Sequence, residues 1–186
     1  LYDHSGNGNH GTINGAQWAG CTDPLAENYL PDAELDDGSC TGSPVNPSDF
    51  TYAGEFDGHY YYRNINPTDW ISAKQLCEEQ NGHLVTIASS EENDFIINNI
   101  GGGWIGFTDE ASEGDWQWIT GEDVGFLNWE PVAPNDNTNN FTEDYGTMNG
   151  DGSWDDRDAL LYSWPYTLEI EPFGCTDDTA CNYKPY

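Results

Sequence analysis

Basic residues are almost missing from this chain of 186 residues. It has 4 Lys and Arg against 34 Asp and Glu, a net charge of −30. A phosphate backbone needs a basic surface, so nucleic acid is excluded as a partner. The same deficit excludes docking on anionic lipid. No stretch approaches the ~18 apolar residues of a membrane span, so no membrane insertion is expected. The chain has no Gly-x-Ser-x-Gly elbow, no His-Glu-x-x-His helix, no phosphate-binding loop and no Cys-x-x-Cys pair. Carboxylate pairs abound, but in a chain this acidic they carry no catalytic information. The expectation is a binding or structural protein and not an enzyme. An initiator Met is absent and Leu1 stands in mid-pattern, which reads as a mature or partial piece of a longer polypeptide.

What is there is aromatic. Eight Trp, 11 Tyr and 7 Phe make up 14% of the chain. Disordered acidic segments lack such residues, so this chain can build a core. It repels itself unless cations screen it, which suits an extracellular or cell-surface protein in a calcium-containing medium. Five Cys is an odd number, so in a secreted protein at least one is free or pairs outside the chain.

One stretch organises the reading: Ala133 to Asp156. It carries Asp136, Glu143, Asp144 and Asp151 before Trp154-Asp155-Asp156, many Asn and Thr, and no Lys or Arg. A long loop without periodicity is functional or disordered. Crowded carboxylates repel unless a cation sits among them, and calcium takes six to eight hard oxygen donors. A calcium-organised loop is expected, against the blander alternative of a solvated acidic loop.

Residues 1–19 are a Gly/Asn-rich extended segment, in which His4 and His10 read as exposed turn residues. Residues 20–40 form a cysteine-bracketed module. Gly20, Cys21, Thr22, Asp23, Ala26, Asn28, Tyr29 and Pro31 recur as Gly174, Cys175, Thr176, Asp177, Ala180, Asn182, Tyr183 and Pro185, each shifted by 154 residues. This is an internal repeat, and it reads as one period of a tandem array or filament in which copies of the protein are partners. Cys21 and Cys40 are expected to pair, closing a loop worth roughly 3 kcal/mol. Cys175 and Cys181 are candidates to pair with each other, with Cys77 or with cysteines beyond Tyr186. Asp32, Asp36 and Asp37 fail the EF-hand spacing.

Residues 41–49 are a linker, 50–171 the main domain, and 172–186 the start of a second cysteine module. In the main domain, strands are expected at Phe50–Ala53, His59–Arg63, His83–Ile87, Trp104–Phe107 and Trp116–Trp118. A helix over 69–80, capped by Thr68 or Asp69, buries Trp70, Ala73 and Cys77 and stops at Gly82. A second over 90–99 starts at a Ser89/Glu92 capping box and turns Phe95 and Ile96 inward. Asn140-Phe141-Thr142 is a glycosylation pattern.

These residues resemble a known family. Trp70…Ala73…Cys77…Gly82-His-Leu-Val-Thr-Ile87…Glu92-Asn93…Phe95, Trp104-Ile-Gly106, Glu113-Gly114…Trp116-Gln-Trp118, Asn128-Trp129, Pro134-Asn135, Glu143-Asp144 and Trp154-Asp155-Asp156 are similar to a C-type lectin-like domain over about residues 50–171. The resemblance implies an α+β fold of two helices, two small antiparallel sheets with paired terminal strands, and a long calcium-binding loop. It implies a first calcium site of Asp109, Glu113, Asp136, Glu143 and Asp144, and a second, glycan-contacting site of Asn135, Glu143, Asp155 and Asp156. Ala133 stands where the family has a side-chain ligand of that second site, which only water or Glu130 can replace. The family's disulfide positions fall on Cys77 and Leu168 and on Tyr145 and Ala159, so both bridges are lacking, as in bacterial members, and Cys77 is expected as a buried free thiol. Residues 3–16 resemble the opening of a laminin-G-like module, and 20–40 a module found between domains of secreted bacterial proteins. Two functions follow as expectations: a calcium-stabilised structural or adhesive repeat, or a calcium-dependent glycan-binding module of a surface adhesin.

Overall fold

A computed structural model describes residues 18–135 and 143–171. The chain divides into two compact units, Leu1–Pro47 and Ser48–Tyr186. Cys175 and Cys181, the laminin-G-like stretch and Asn140 lie outside the described residues.

In the first unit, β1 (Ala19–Gly20) pairs in parallel with β2 (Leu35–Asp36). Cys21 and Cys40 are joined by a disulfide, as expected. The repeated polar residues turn out to hold the loop's backbone. Asp23 accepts from the Leu25 N–H at 2.9 Å and from the Ser43 hydroxyl at 2.5 Å. Asn28 donates to the Ser39 carbonyl and accepts from the Thr41 N–H, each at 2.7 Å, bracketing Cys40. Too small for a large core, the module relies on a crosslink and side-chain-to-backbone bonds.

The second unit holds two four-stranded sheets and two helices. β3 (Phe50–Phe56), β4 (His59–Asn64), β5 (His83–Leu84) and β10 (Thr167–Ile170) form one sheet, in the order β3-β4-β10-β5. β6 (Gly103–Thr108), β7 (Gln117–Trp118), β8 (Tyr145–Met148) and β9 (Trp154–Arg157) form the other, ordered β7-β6-β8-β9. The terminal strands pair antiparallel, Leu168 opposite Tyr62 and Glu169 opposite Tyr61. Between β5 and β6 runs α2 (Ser90–Asn99), and before β5 runs α1 (Trp70–Glu78).

Helix α1 starts where Asp69 accepts from the Ser72 N–H at 2.9 Å, satisfying an orphan donor. Trp70, Ala73 and Cys77 lie on its buried stripe. It ends earlier than expected, because Asn81, not Gly82, takes the left-handed conformation at φ 60°. Gly82 is needed for a different reason: a Cβ there would stand 2.3 Å from the Glu169 carbonyl oxygen. In α2, Ser89 accepts from the Glu92 N–H at 3.1 Å, but the box closes one residue early. The Glu92 carboxylate takes the Ala88 N–H at 2.8 Å. The expected strand His83–Ile87 pairs as a strand only at His83–Leu84. Beyond it, Val85 donates to Thr167 at 3.0 Å and accepts from Gly106 at 2.7 Å, so it bridges the two sheets.

The core gathers Tyr61, Ile87, Ile96, Ile105, Phe107, Trp118, Met148 and Trp154. Phe107 packs on Trp118 with ring centroids 4.3 Å apart, and Trp118 meets Trp154 edge-on. Three of the indole N–H groups are bonded: Trp70 Nε1 to Ile105, Trp104 Nε1 to Thr68 and Trp154 Nε1 to Asn93. These indoles are structural and not sugar-stacking platforms. The Cys77 thiol is buried and free, and burial pushes its pKa up, away from reactivity.

Candidate cation site at the long-loop end

The site grows from the end of β6. Asp109 follows Thr108, and its N–H donates to the Asp144 carbonyl at 3.2 Å, tying the two acidic segments together. A tight turn then runs through Ser112 to Gly114, where φ is 76°. Asp109 Oδ2 accepts from the Gly114 N–H at 2.8 Å, which sets Glu113 beside Asp109. From the other side, Asp156 Oδ2 accepts from the Asn135 N–H at 2.8 Å. Asp109, Glu113, Asn135, Glu143 and Asp156 thereby line one cavity of about 260 Å³, with Gly114, Trp116 and Pro134. Asp109, Glu143 and Asp156 are buried.

Two expected site residues are not among this lining, and strand geometry explains both. Successive strand residues point to opposite faces. Asp156 turns into the cavity, so its neighbour Asp155 turns away, onto the same side as Arg157, with which it pairs. Burial pushes the Asp155 pKa up, and the Arg157 guanidinium pulls the other way. Likewise Glu143 enters the cavity while Asp144, leading into β8, lines a separate pocket with Tyr145, Asp158 and Ala159. Asp144 thus reaches the site through its carbonyl bond to Asp109. Ala133 offers no donor, and Glu130, its expected stand-in, lies 3.5 Å from Asn149 and not on the cavity. Asp136 lies outside the described residues.

The donor set suits a hard divalent cation. Four carboxylates and one side-chain amide gather with no Lys or Arg among the lining residues. Calcium is the fitting ion, and Asp109, Glu113, Glu143, Asp156 and Asn135 are the residues that would hold it.

A second polar concentration is not anticipated by the sequence pattern. Glu169, inside the buried strand β10, faces His59 Nδ1 at 2.5 Å and accepts from the Thr86 N–H at 3.0 Å. The Tyr61 hydroxyl donates to Glu92 at 2.7 Å and lies 3.4 Å from Glu169. The one available signal is a Glu between Leu168 and Ile170, at a strand position that packing would fill with an apolar residue.

Comparison with known proteins bears on both sheets. Residues 66–162, just over half the chain, match the family model described as the lectin C-type domain. The human "C-type lectin domain family 17, member A" is 39% identical over 104 residues, covering 54% of this chain and 27% of that protein. The chain therefore spans about a quarter of that relative's length. Among solved structures, the cow carbohydrate-recognition domain of CD23, determined in the presence of a GlcNAc2Man3 oligosaccharide, superposes with a TM-score of 0.60. It is 30% identical and covers 68% of this chain and 95% of that one. A calcium-independent type II antifreeze protein superposes as well, with a TM-score of 0.59 and 27% identity, covering 68% and 95%.

Proposed function

This chain belongs to the C-type lectin domain family, and from that premise we propose that it is a calcium-organised module of an extracellular or surface protein, with a structural or adhesive role in an array of copies. The observation that carries the reading is the convergence of Asp109, Glu113, Asn135, Glu143 and Asp156 on one cavity free of basic residues. A divalent ion there offsets the mutual repulsion of the carboxylates and links β6, β9 and the segment before β8. The array rests on the 154-residue recurrence of the Cys21 module, in which Asp23 and Asn28 hold the backbone. Calorimetric titration with calcium tests the ion: one or more equivalents are expected, and no binding would end the reading. For the array, a chain spanning two periods should self-associate. Monomeric behaviour at high concentration would count against it.

A second reading is calcium-dependent glycan binding at the same end. Asn135, Glu143 and Asp156 favour it, since they share the cavity. Against it stand Ala133, with no donor, and Asp155, engaged by Arg157. Sugar hydroxyls need paired ligands around an exposed ion, and two of the expected positions are not available for that. Glycan-array binding that vanishes on chelation would establish the second reading.

A further inference from the structure

The β3-β4-β10-β5 sheet joins the two ends of the domain, and a histidine stands at the joint. Alternation places His59 and Tyr61 on one face of β4. On β10, Glu169 lies opposite Tyr61, and Glu171 follows Ile170, which lies opposite Tyr60. The His59 ring sits between the two carboxylates. Its Nδ1 is 2.5 Å from Glu169 Oε1, and its Nε2 is 3.4 Å from Glu171 Oε2. Other titrating groups face the same spot. Tyr61 donates its hydroxyl to Glu92 of α2 at 2.7 Å. Asp57, from the β3–β4 turn, lines a pocket with His59 and Glu92. His83 of β5 reaches the same two carboxylates at longer range, 3.8 Å from Glu169 and 3.7 Å from Glu171. Glu55 of β3 is paired with Tyr60 and so faces away.

The acceptors decide the state of the ring. A carboxylate only accepts, and a neutral imidazole carries a single N–H. A carboxylate at each ring nitrogen therefore fits the imidazolium. The bond to Glu169 raises the His59 pKa, burial opposes it, and the charges of Glu169, Glu171 and Glu92 add to the rise. The two anchors are unequal. Glu169 is buried and fixed by the Thr86 N–H at 3.0 Å and its hydroxyl at 3.3 Å. The Glu171 side chain is 54% exposed. When the ring gives up one proton, the remaining N–H stays with the buried Glu169. Nε2 then presents a lone pair to Glu171, and the exposed carboxylate turns to water.

We propose that His59 is a pH-operated clasp on the terminal-strand pair: protonated, it ties β4 both to Glu169 and to Glu171 just past β10, and on deprotonation it keeps Glu169 and releases Glu171. A histidine with a raised folded-state value contributes stability that is complete below the unfolded-state value. That stability is lost as pH rises through the folded value. The clasp therefore opens toward the alkaline side of the ordinary histidine range. Glu92 acts in the same sense, but its window starts at the ordinary glutamate value.

Nuclear magnetic resonance titration of the His59 ring tests the clasp, on the untagged chain at one fixed calcium concentration. The His59 midpoint should lie above the ordinary histidine value. Glu171→Gln, at the surface and harmless to folding, should lower it. Glu169→Gln should lower it further where that chain folds. Amide exchange reads the strands directly, as protection factors that already discount the base catalysis of exchange. Protection at Tyr60 and Ile170 should fall roughly two- to fivefold from the acid to the alkaline side of the midpoint, the size that a half-exposed ion pair supports. Glu171→Gln should remove that fall and leave protection at the lower, alkaline level throughout. A His59 midpoint at or below the ordinary value would overturn the clasp. So would a midpoint that Glu171→Gln leaves unmoved, or strand protection that ignores pH in the parent chain.

Discussion

The two sheets of the lectin domain each concentrate carboxylates, and they satisfy them in different ways. On the β3-β4-β10-β5 sheet the charge is answered from within. Glu169 faces His59 and takes the Thr86 N–H, and Glu92 takes the Tyr61 hydroxyl and the Ala88 N–H. At the end of the other sheet, backbone amides of Gly114 and Asn135 supply part of the need. Four carboxylates still share one cavity with no basic neighbour on its walls. A buried charge must be paired, hydrogen-bonded or bound to a metal. On the proposed reading, the first region contributes to stability in the bare chain, and the second contributes more once an ion from solution joins it.

The widest gap between the regions should come from Glu169→Ala. It removes the nearer of the two carboxylates that face His59 and leaves the Thr86 N–H buried without that acceptor. A loss of about 3 kcal/mol is expected, as when one member of a buried pair is removed. Urea midpoints should fall equally with and without calcium. A loss that calcium cancels would mean the two regions are coupled.

Chelation should come next in size and act only on the loop end. At a calcium concentration about a hundredfold above the dissociation constant, an ion bound only to the folded chain stabilises it by roughly 2.7 kcal/mol. That increment should appear as a rise in melting temperature. Glu113→Gln and Asp109→Asn should remove most of it while changing the chelated protein little. A melting curve indifferent to chelator would erase the contrast.

Much of the fold is legible in residue order, and the limits are physical. Helices are local: Asp69 with Ser72, Ser89 with Glu92, and the Trp70/Ala73/Cys77 stripe all lie within a few residues. The resemblance located the acidic loop, but adjacency misled about its members. Asp155 and Asp156 look like a pair in the sequence, yet a strand sends them to opposite sides. Val85 belongs to no strand because it bonds to both sheets, which no periodicity encodes. The His59–Glu169 contact spans 110 residues and depends on β10 inserting between β4 and β5. Only the assembled register reveals it.

Tyr61→Phe sharpens the comparison at a smaller scale. It removes the donor that Glu92 accepts at 2.7 Å, and a bond to a charged group is worth about 1.5–3 kcal/mol. The lower end is expected, because the Ala88 N–H still serves the carboxylate. Calcium should not alter the loss, since Tyr61 lies in the internally satisfied region. A calcium-sensitive loss in urea melts would contradict that placement.

The smallest effect should come from Glu92→Gln, and its dependence on pH matters more than its size. Burial raises the Glu92 pKa above the ordinary glutamate value, against the bonds from Tyr61 and Ala88, with Glu169 raising it further and His59 lowering it. A carboxyl with a raised folded-state value contributes its full stability below the unfolded-state value and loses it as pH rises through the folded one. Ionised Glu92 is therefore a cost that the Tyr61 and Ala88 bonds offset. Glutamine keeps an acceptor for one of these donors and escapes the charge. At neutral pH the variant should lie within about 1 kcal/mol of the parent, the lost bond and the relieved desolvation nearly cancelling. As pH falls toward the ordinary glutamate range, the parent gains its protonated form and the difference should move in its favour. Urea midpoints for both chains at the two pH values measure this. A difference that ignores pH would show that Glu92 does not titrate differently on folding, and that the inner network holds its charge at no cost.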